Sequence, residues 1–108
     1  MSFTVKARRY DTSEPVAIEI AEGRIERIVP AWPDTDDDWP LVAPAFFDLQ
    51  INGHGGTWFS NDSLTADDVI GALEPHFAFG ITRLCPTLIT ASFEALAAGF
   101  SAIDEACR

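Results

Sequence analysis

The residues best suited to chemistry are polar side chains and a glycine-rich loop at the end of an apolar segment. This segment runs from Pro44 to Gly56 and reads Pro-Ala-Phe-Phe-Asp-Leu-Gln-Ile-Asn-Gly-His-Gly-Gly. Successive side chains of a strand point to opposite faces, so Asp48, Gln50 and Asn52 share one face. The solvent face of an edge strand would also be polar. Two carboxamides at the end of an apolar strand nevertheless favour a binding site.

The loop after this strand supplies His54 and the glycines Gly53, Gly55 and Gly56. A nucleotide-binding loop is a weak interpretation, because neither Gly-x-Gly-x-x-Gly nor a following Lys-Ser or Lys-Thr is found there. Positive φ angles or a close approach to a ligand explain the glycines better. His54 is a candidate substrate contact, and a loop residue held by its backbone neighbours is the alternative. His76 is expected to pack on a helix or to face solvent.

Composition narrows the class of protein. The 108 residues are enough for one small domain with a core, and a composition that is 47% hydrophobic and 22% charged is typical of a globular protein. The net charge of −10 argues against binding to nucleic acid or to an anionic membrane. Short apolar runs and the lack of a signal-peptide pattern predict no membrane span and a cytoplasmic protein. Cys85 and Cys107 match no zinc or redox spacing, and each is expected to be a buried thiol.

Residues 1–43 are predicted to form a small β sub-domain. A strand over Phe3 to Arg9 precedes two alternating apolar runs at 16–21 and 24–29. The pair Glu22-Gly23 separates these runs and predicts a tight hairpin.

A proline-containing linker from residue 30 to residue 40 carries an acidic run at 34–38. The run lacks the alternating ligands, central glycine and closing glutamate of a calcium loop, so a solvated loop is predicted. Trp32 and Trp39 are expected to cap the small sheet from this linker. A short strand at 41–43 follows.

Residues 44–108 are predicted to alternate between strand and helix. After the strand that ends at Asn52, residues 57–63 are expected to form a loop. Thr65 is suited to cap the helix that follows. Pro75 is predicted to kink this helix or to end its first half, and Gly80 to follow its last turn.

A second strand is predicted at 81–86, with an exit loop at 87–91 and a last helix capped by Ser92. The order strand, helix, strand, helix is typical of parallel strands with helices packed outside. The expected fold class is α/β, with a β sub-domain (1–43) followed by the first two βα units of an incomplete TIM-like (β/α)₈ barrel (44–108).

Active sites of such barrels lie where strands end and βα loops begin. Gln50, Asn52 and Thr87, which ends the second strand, are expected at that edge. Because two βα units cannot close a sheet, several large apolar side chains are expected to be exposed, and the isolated chain to aggregate or oligomerise. They are Phe47, Leu49, Phe77, Phe79 and Phe100.

Three blocks of the chain resemble the N-terminal part of the N-acetylglucosamine-6-phosphate deacetylases, a family of the amidohydrolase superfamily. The hairpin at 18–28 is similar to the superfamily's opening β sub-domain. Residues 47–56 resemble the family's first barrel strand, and residues 80–90 its second. Most amidohydrolases carry a metal-binding His-x-His on the first of these strands, whereas this chain has Gln50-x-Asn52.

The resemblance implies a branch that uses one divalent metal ion, zinc or similar, because carboxamides are weak ligands for transition metals. It implies hydrolysis of N-acetylglucosamine 6-phosphate to glucosamine 6-phosphate and acetate by a metal-bound hydroxide. Gln50, Asn52, His54 and Thr87 would then contact substrate or water. The implied partner is a phosphorylated amino sugar, and the implied assembly is a homodimer.

The family's metal ligands and its general acid/base lie beyond the matched blocks, beginning with a His-Leu-Glu-Gly-Pro segment. We therefore assign no catalytic and no metal-binding residue to these 108 residues, and expect them to bind no metal and to be inactive alone. Two alternatives stay open. One is a truncated, non-catalytic remnant or interaction module. The other is a different amidohydrolase such as a cyclic amidase, which fits Gln50-x-Asn52 less well.

Overall fold

A computed structural model describes residues 1–34 and 37–108. Thr35 and Asp36 lie outside the described residues, so the prediction of a solvated acidic loop falls partly on residues that are not described. The chain divides into two compact units, Met1–Pro44 and Ala45–Arg108. Within the described ranges, no helix has both the length and the apolar character needed to cross a membrane.

The first unit is a four-stranded sheet in the order β3-β2-β1-β4. Its strands are β1 (Ser2–Arg9), β2 (Pro15–Ala21), β3 (Arg24–Pro30) and β4 (Leu41–Val42). β2 pairs antiparallel with both β1 and β3, and β4 pairs parallel with β1. The predicted hairpin is therefore confirmed as β2 and β3.

The hairpin forms because its two turn residues adopt the backbone that a tight turn needs. Glu22 has φ 47° and Gly23 has φ 74°, and a turn with positive φ at both central positions matches the twist of antiparallel strands. One face of the sheet buries Ala7, Val16 and Ile18. The alternation of apolar and polar residues thus sets which face is covered.

The tryptophans of the linker do not behave alike. Lys6 Nζ lies 5.6 Å from the ring centroid of Trp39, so half-buried Trp39 contacts the sheet through a cation–π interaction. Trp32 is 85% exposed, and the prediction that it caps the sheet is wrong. Burial alternates along this extended segment, with Ala31 and Pro33 half-buried, and Trp32 falls on the outward side.

The second unit is a mixed α/β arrangement built around a parallel pair of strands. Its elements are β5 (Phe46–Ile51), β6 (Gly53–His54), β7 (Thr57–Trp58), α1 (Ala66–Leu73), a 3₁₀ helix (Glu74–Phe79), β8 (Ile81–Pro86) and α2 (Phe93–Ala106). β5 pairs parallel with β8, as the strand–helix–strand order predicts. The loop predicted at 57–63 is wrong in its first two residues, since β6 and β7 form a short antiparallel hairpin.

Both helices begin at the predicted caps. The Thr65 hydroxyl accepts from Asp68 N–H (3.2 Å), and the Asp68 carboxylate accepts from Thr65 N–H (3.0 Å), which completes a capping box. Hydrogen bonds from Thr65 hold the pKa of Asp68 below its ordinary value. Ser92 caps α2 by accepting from Ala95 N–H. Pro75 stands where α1 gives way to the 3₁₀ helix, and Gly80 follows with φ 77°.

One apolar cluster forms the core of the second unit. It consists of Ile51, Phe59, Leu64, Val69, Ala72 and Ala102. The prediction of two buried thiols is wrong for Cys107, which is exposed at the end of α2, and only partly met by Cys85, which is half-buried. A residue at the end of a helix has fewer neighbours to cover it. The five large apolar residues predicted to be exposed are all exposed.

Close packing between α2 and the segment after β7 requires a residue without a side chain at position 99. A Cβ on Gly99 would lie 2.4 Å from the Phe59 carbonyl oxygen and 2.4 Å from Leu88 Cδ2. The Leu88 methyl can move aside, but the Phe59 carbonyl belongs to the backbone of the core.

Gly99→Ala is expected to lower the free energy of unfolding by about 1–3 kcal/mol, because the core must shift to admit the methyl group. Gly71→Ala is the matched control. A Cβ on this exposed residue of α1 meets nothing within 4 Å, so alanine should raise the free energy of unfolding by about 0.5–1 kcal/mol. Urea denaturation followed by circular dichroism measures both, and similar effects of the two variants would contradict the packing described.

Candidate functional site

A pocket lies at the carboxyl end of β5, between the strand end and the β6–β7 hairpin. Its cavity volume is about 450 Å³, and its lining is the continuous stretch from Gln50 to Trp58. Three of the four predicted site residues, Gln50, Asn52 and His54, line it together. Thr87 is not among the lining residues, although it is joined to the pocket through Asn52.

The first polar residue of the strand, Asp48, forms a hydrogen bond with the backbone of the same strand. Its Oδ1 accepts a hydrogen bond from Gln50 N–H at 3.0 Å. The pairing of β5 with β8 shifts register between Asp48 and Ile51. Asp48 therefore satisfies a backbone donor where regular pairing is interrupted, and the Gln50 side chain stands exposed at the edge of the pocket.

Asn52 joins the ends of the two parallel strands. Its Nδ2 donates to the Thr87 carbonyl at 3.3 Å, and its own carbonyl accepts from Phe59 N–H at 3.0 Å. The Thr87 N–H donates to the Ile51 carbonyl at 2.8 Å. With Nδ2 engaged in this way, half-buried Asn52 holds the strand ends together and has Oδ1 as its acceptor.

Thr87 follows β8 directly and is half-buried. Its hydroxyl donates to the Cys85 carbonyl at 2.9 Å. In this arrangement the Thr87 side chain turns toward its own strand. Its predicted contact with substrate or water stays a prediction.

The two histidines are neighbours. The ring centroids of His54 and His76 lie 4.7 Å apart with an interplanar angle of 70°, an edge-to-face arrangement. His76 Nδ1 is 3.2 Å from the Leu73 carbonyl, so the tautomer protonated at Nδ1 donates to it. His76 packs as predicted, but it packs on the candidate site residue His54. Their contact is not evident from the sequence, because the two residues are 22 positions apart.

Gly53 is required by close backbone contact. It has φ 146°, and a Cβ at this position would lie 1.9 Å from the Thr57 carbonyl oxygen. Gly55 and Gly56 also have positive φ. The interpretation of this loop as a backbone requirement is therefore confirmed for all three glycines.

Two further residues near the pocket were missed in the sequence analysis. Trp58, placed in a predicted loop, lines the pocket from β7. Ser60 Oγ accepts from Ile89 N–H (2.8 Å) and donates to the Ile89 carbonyl (3.2 Å), tying the segments after β7 and β8. An aromatic residue two positions after a pair of glycines was a usable signal for Trp58. No local pattern marks Ser60.

Known proteins resemble this chain over nearly all of its length. An N-acetylgalactosamine-6-phosphate deacetylase of Shewanella sp. (strain ANA-3) is 31% identical over 102 residues, covering 87% of this chain and 26% of that protein. The enzyme of the same name in Escherichia coli O157:H7 is 31% identical over 114 residues, covering the whole chain and 29% of that protein. No protein-family model matches the chain.

A solved structure agrees with these relatives. It is the N-acetyl-D-glucosamine-6-phosphate deacetylase of Mycobacterium smegmatis, determined as a mutant in complex with N-acetyl-D-glucosamine-6-phosphate. It superposes with a TM-score of 0.74 at 28% identity, covering 96% of this chain and 29% of that one. The resemblance to the amino-sugar-phosphate deacetylases is confirmed. The chain spans between 26% and 29% of the length of these three proteins.

The side chains near the pocket do not fit the metal ion that the deacetylase resemblance implies. Within residues 1–34 and 37–108, no group of three or more His, Cys, Asp or Glu side chains is placed to hold a metal. At the pocket, Gln50 and Asn52 are neutral carboxamides, and Asn52 already binds the Thr87 carbonyl through Nδ2. The residues at this pocket can bind and orient a ligand through amides, an imidazole and an indole, and we derive no metal-dependent step from them.

The two carboxamides are expected to differ in their effect on stability. Asn52→Asp at neutral pH sets a carboxylate against the Thr87 carbonyl in place of an amide donor. We expect the free energy of unfolding to fall by about 1–3 kcal/mol. Gln50→Glu is the matched control, and its exposed side chain should change this energy by less than about 0.5 kcal/mol. Denaturant titration of both variants is the measurement, and equal losses would contradict the positioning role of Asn52.

Proposed function

We propose that this chain is part of a metal-dependent hydrolase that deacetylates an N-acetylated hexosamine 6-phosphate, and that the pocket at the end of β5 contacts the sugar. One observation carries the proposal. Gln50, Asn52 and His54 line one open pocket at the carboxyl end of a parallel strand pair. Ligands of α/β enzymes bind at that end of the strands.

The pocket residues suit different parts of such a substrate. The exposed Gln50 amide offers both a donor and an acceptor to hydroxyl groups or to the N-acetyl group. Asn52 Oδ1 offers an acceptor whose position is fixed by the bond from Nδ2 to Thr87. His54 is oriented by the His76 ring. These groups bind and orient, and no catalytic residue is assigned to this chain.

The second unit is proposed to be the first two βα units of a (β/α)₈ barrel, and residues 1–43 the β sub-domain before it. β5 and β8 would be adjacent barrel strands, with α1 and α2 as the helices that follow them. Other segments of the protein would supply the metal ligands and the general acid/base. The single divalent metal, the homodimer and the cytoplasmic location stay predictions.

We propose the substrate only as far as its class, the N-acetylhexosamine 6-phosphates. This class includes the predicted N-acetylglucosamine 6-phosphate. The two relatives carry the name of the galactosamine compound and the solved structure that of the glucosamine compound. These sugars differ only in the configuration at C4. A side-by-side assay of both sugar phosphates identifies the substrate.

The first test is the coding sequence on the 3′ side of the Arg108 codon. The proposal expects an open reading frame that encodes a His-Leu-Glu-Gly-Pro segment and later histidines. A stop codon, or a reading frame without these residues, would overturn the enzyme proposal in favour of a non-catalytic protein.

The second test is activity of the complete protein. Acetate release from both N-acetylhexosamine 6-phosphates is expected, with loss of activity after chelation and recovery on adding a divalent metal. Release from neither sugar phosphate would contradict the proposal. Activity that survives exhaustive chelation would contradict its metal dependence.

A further inference from the structure

Trp58 is the large aromatic side chain in the lining of the pocket. Within residues 1–34 and 37–108, its indole makes no hydrogen bond and it belongs to no core cluster. We propose that Trp58 is the stacking platform for the uncharged pyranose ring, and that the phosphate of the substrate points out of this pocket. This inference rests on the proposed function and deepens it. It assigns a binding residue to one part of the substrate and excludes another part.

The backbone fixes Trp58 facing away from the core. Trp58 pairs with Gly53 in the β6–β7 hairpin. The next residue, Phe59, lies just past the end of β7 and is fully buried. Phe59 N–H is also bonded to the Asn52 carbonyl. The burial of Phe59 and this hydrogen bond therefore fix the backbone next to Trp58, which lines the pocket and is 56% exposed.

The combination of an indole with amides matches the chemistry of a sugar ring. A pyranose presents C–H bonds on its faces and hydroxyl groups around its edge. The negative π-face of an indole attracts the weakly positive C–H groups. Gln50 and Asn52 offer amide groups to the edge. Small-ligand sites commonly combine an aromatic surface with a few placed polar groups in cavities of about 300–1,000 Å³.

Charge decides which part of the substrate enters. The lining consists of Gln50, Ile51, Asn52, Gly53, His54, Gly55, Gly56, Thr57 and Trp58. It contains neither lysine nor arginine, the residues that bind phosphate best through charge. The pocket therefore favours the neutral ring, and we place the 6-phosphate on groups outside it.

The kinetic test compares Trp58→Ala and Trp58→Phe in the complete protein, with Trp32→Ala as the matched control. Trp32 is 85% exposed in the first unit and lines no part of the pocket. Loss of the stacking surface is expected to lower kcat/KM about three- to tenfold, mainly through KM, while phenylalanine keeps it within about twofold. Trp32→Ala should leave kcat/KM unchanged.

An unchanged kcat/KM in Trp58→Ala would overturn the proposal. The proposal also fails if Trp58→Ala alters the subunit number on size-exclusion chromatography, or if Trp58→Phe loses as much activity as the alanine variant. Those results would assign Trp58 to packing against another part of the protein or a second copy.

A binding test separates this inference from the proposed function. In a Trp32→Phe, Trp39→Phe background, Trp58 is the remaining tryptophan of the 108 residues. To leave it the main emitter in the complete protein, tryptophans elsewhere are also replaced by phenylalanine. Unphosphorylated N-acetylhexosamine at millimolar concentration is expected to change the fluorescence of Trp58. The same sugar should leave the fluorescence of the Trp58→Phe version unchanged. A fluorescence response in a protein that hydrolyses neither sugar phosphate would contradict the deacetylase while supporting the sugar platform. Turnover without a response would contradict only the platform.

Discussion

The burial of Phe59 is the constraint on which the candidate site depends. Its side chain is fully buried in the core of the second unit, its N–H is bonded to the Asn52 carbonyl, and its carbonyl faces Gly99 across a gap too narrow for a Cβ. These three contacts fix the end of the β6–β7 hairpin from different directions. Because Trp58 and Phe59 are consecutive, holding Phe59 inside the core also fixes the backbone of Trp58 beside the pocket.

The side chains around Phe59 fall into two sets, those that bond to the backbone and those that stay exposed at the pocket. Asn52 and Ser60 satisfy backbone groups near the end of β8, so the segments after the two parallel strands are joined at Thr87 and at Ile89. Gln50 and Trp58 keep their side chains exposed on a backbone that these bonds hold still. This arrangement suits binding, since a polar group held in place before the ligand arrives loses less entropy on contact.

Turn and cap residues predicted the hairpin and the helices of this fold correctly. The predictions failed where a feature depends on packing between distant residues. The Glu22-Gly23 turn and the Thr65 and Ser92 caps act within a few residues, so the sequence shows them directly. The β6–β7 hairpin was missed because strands of two residues leave no periodic pattern. The contact of His54 with His76 was missed because it depends on how the 3₁₀ helix packs, which spacing along the chain does not reveal.

The most direct test of this account is a crystal structure of the complete protein with an N-acetylhexosamine 6-phosphate. We expect the pyranose ring to lie on the Trp58 indole with Gln50 at its edge, and the phosphate to contact basic groups outside the pocket. A sugar bound away from the end of β5 would contradict it. So would a Trp58 side chain buried against another part of the protein.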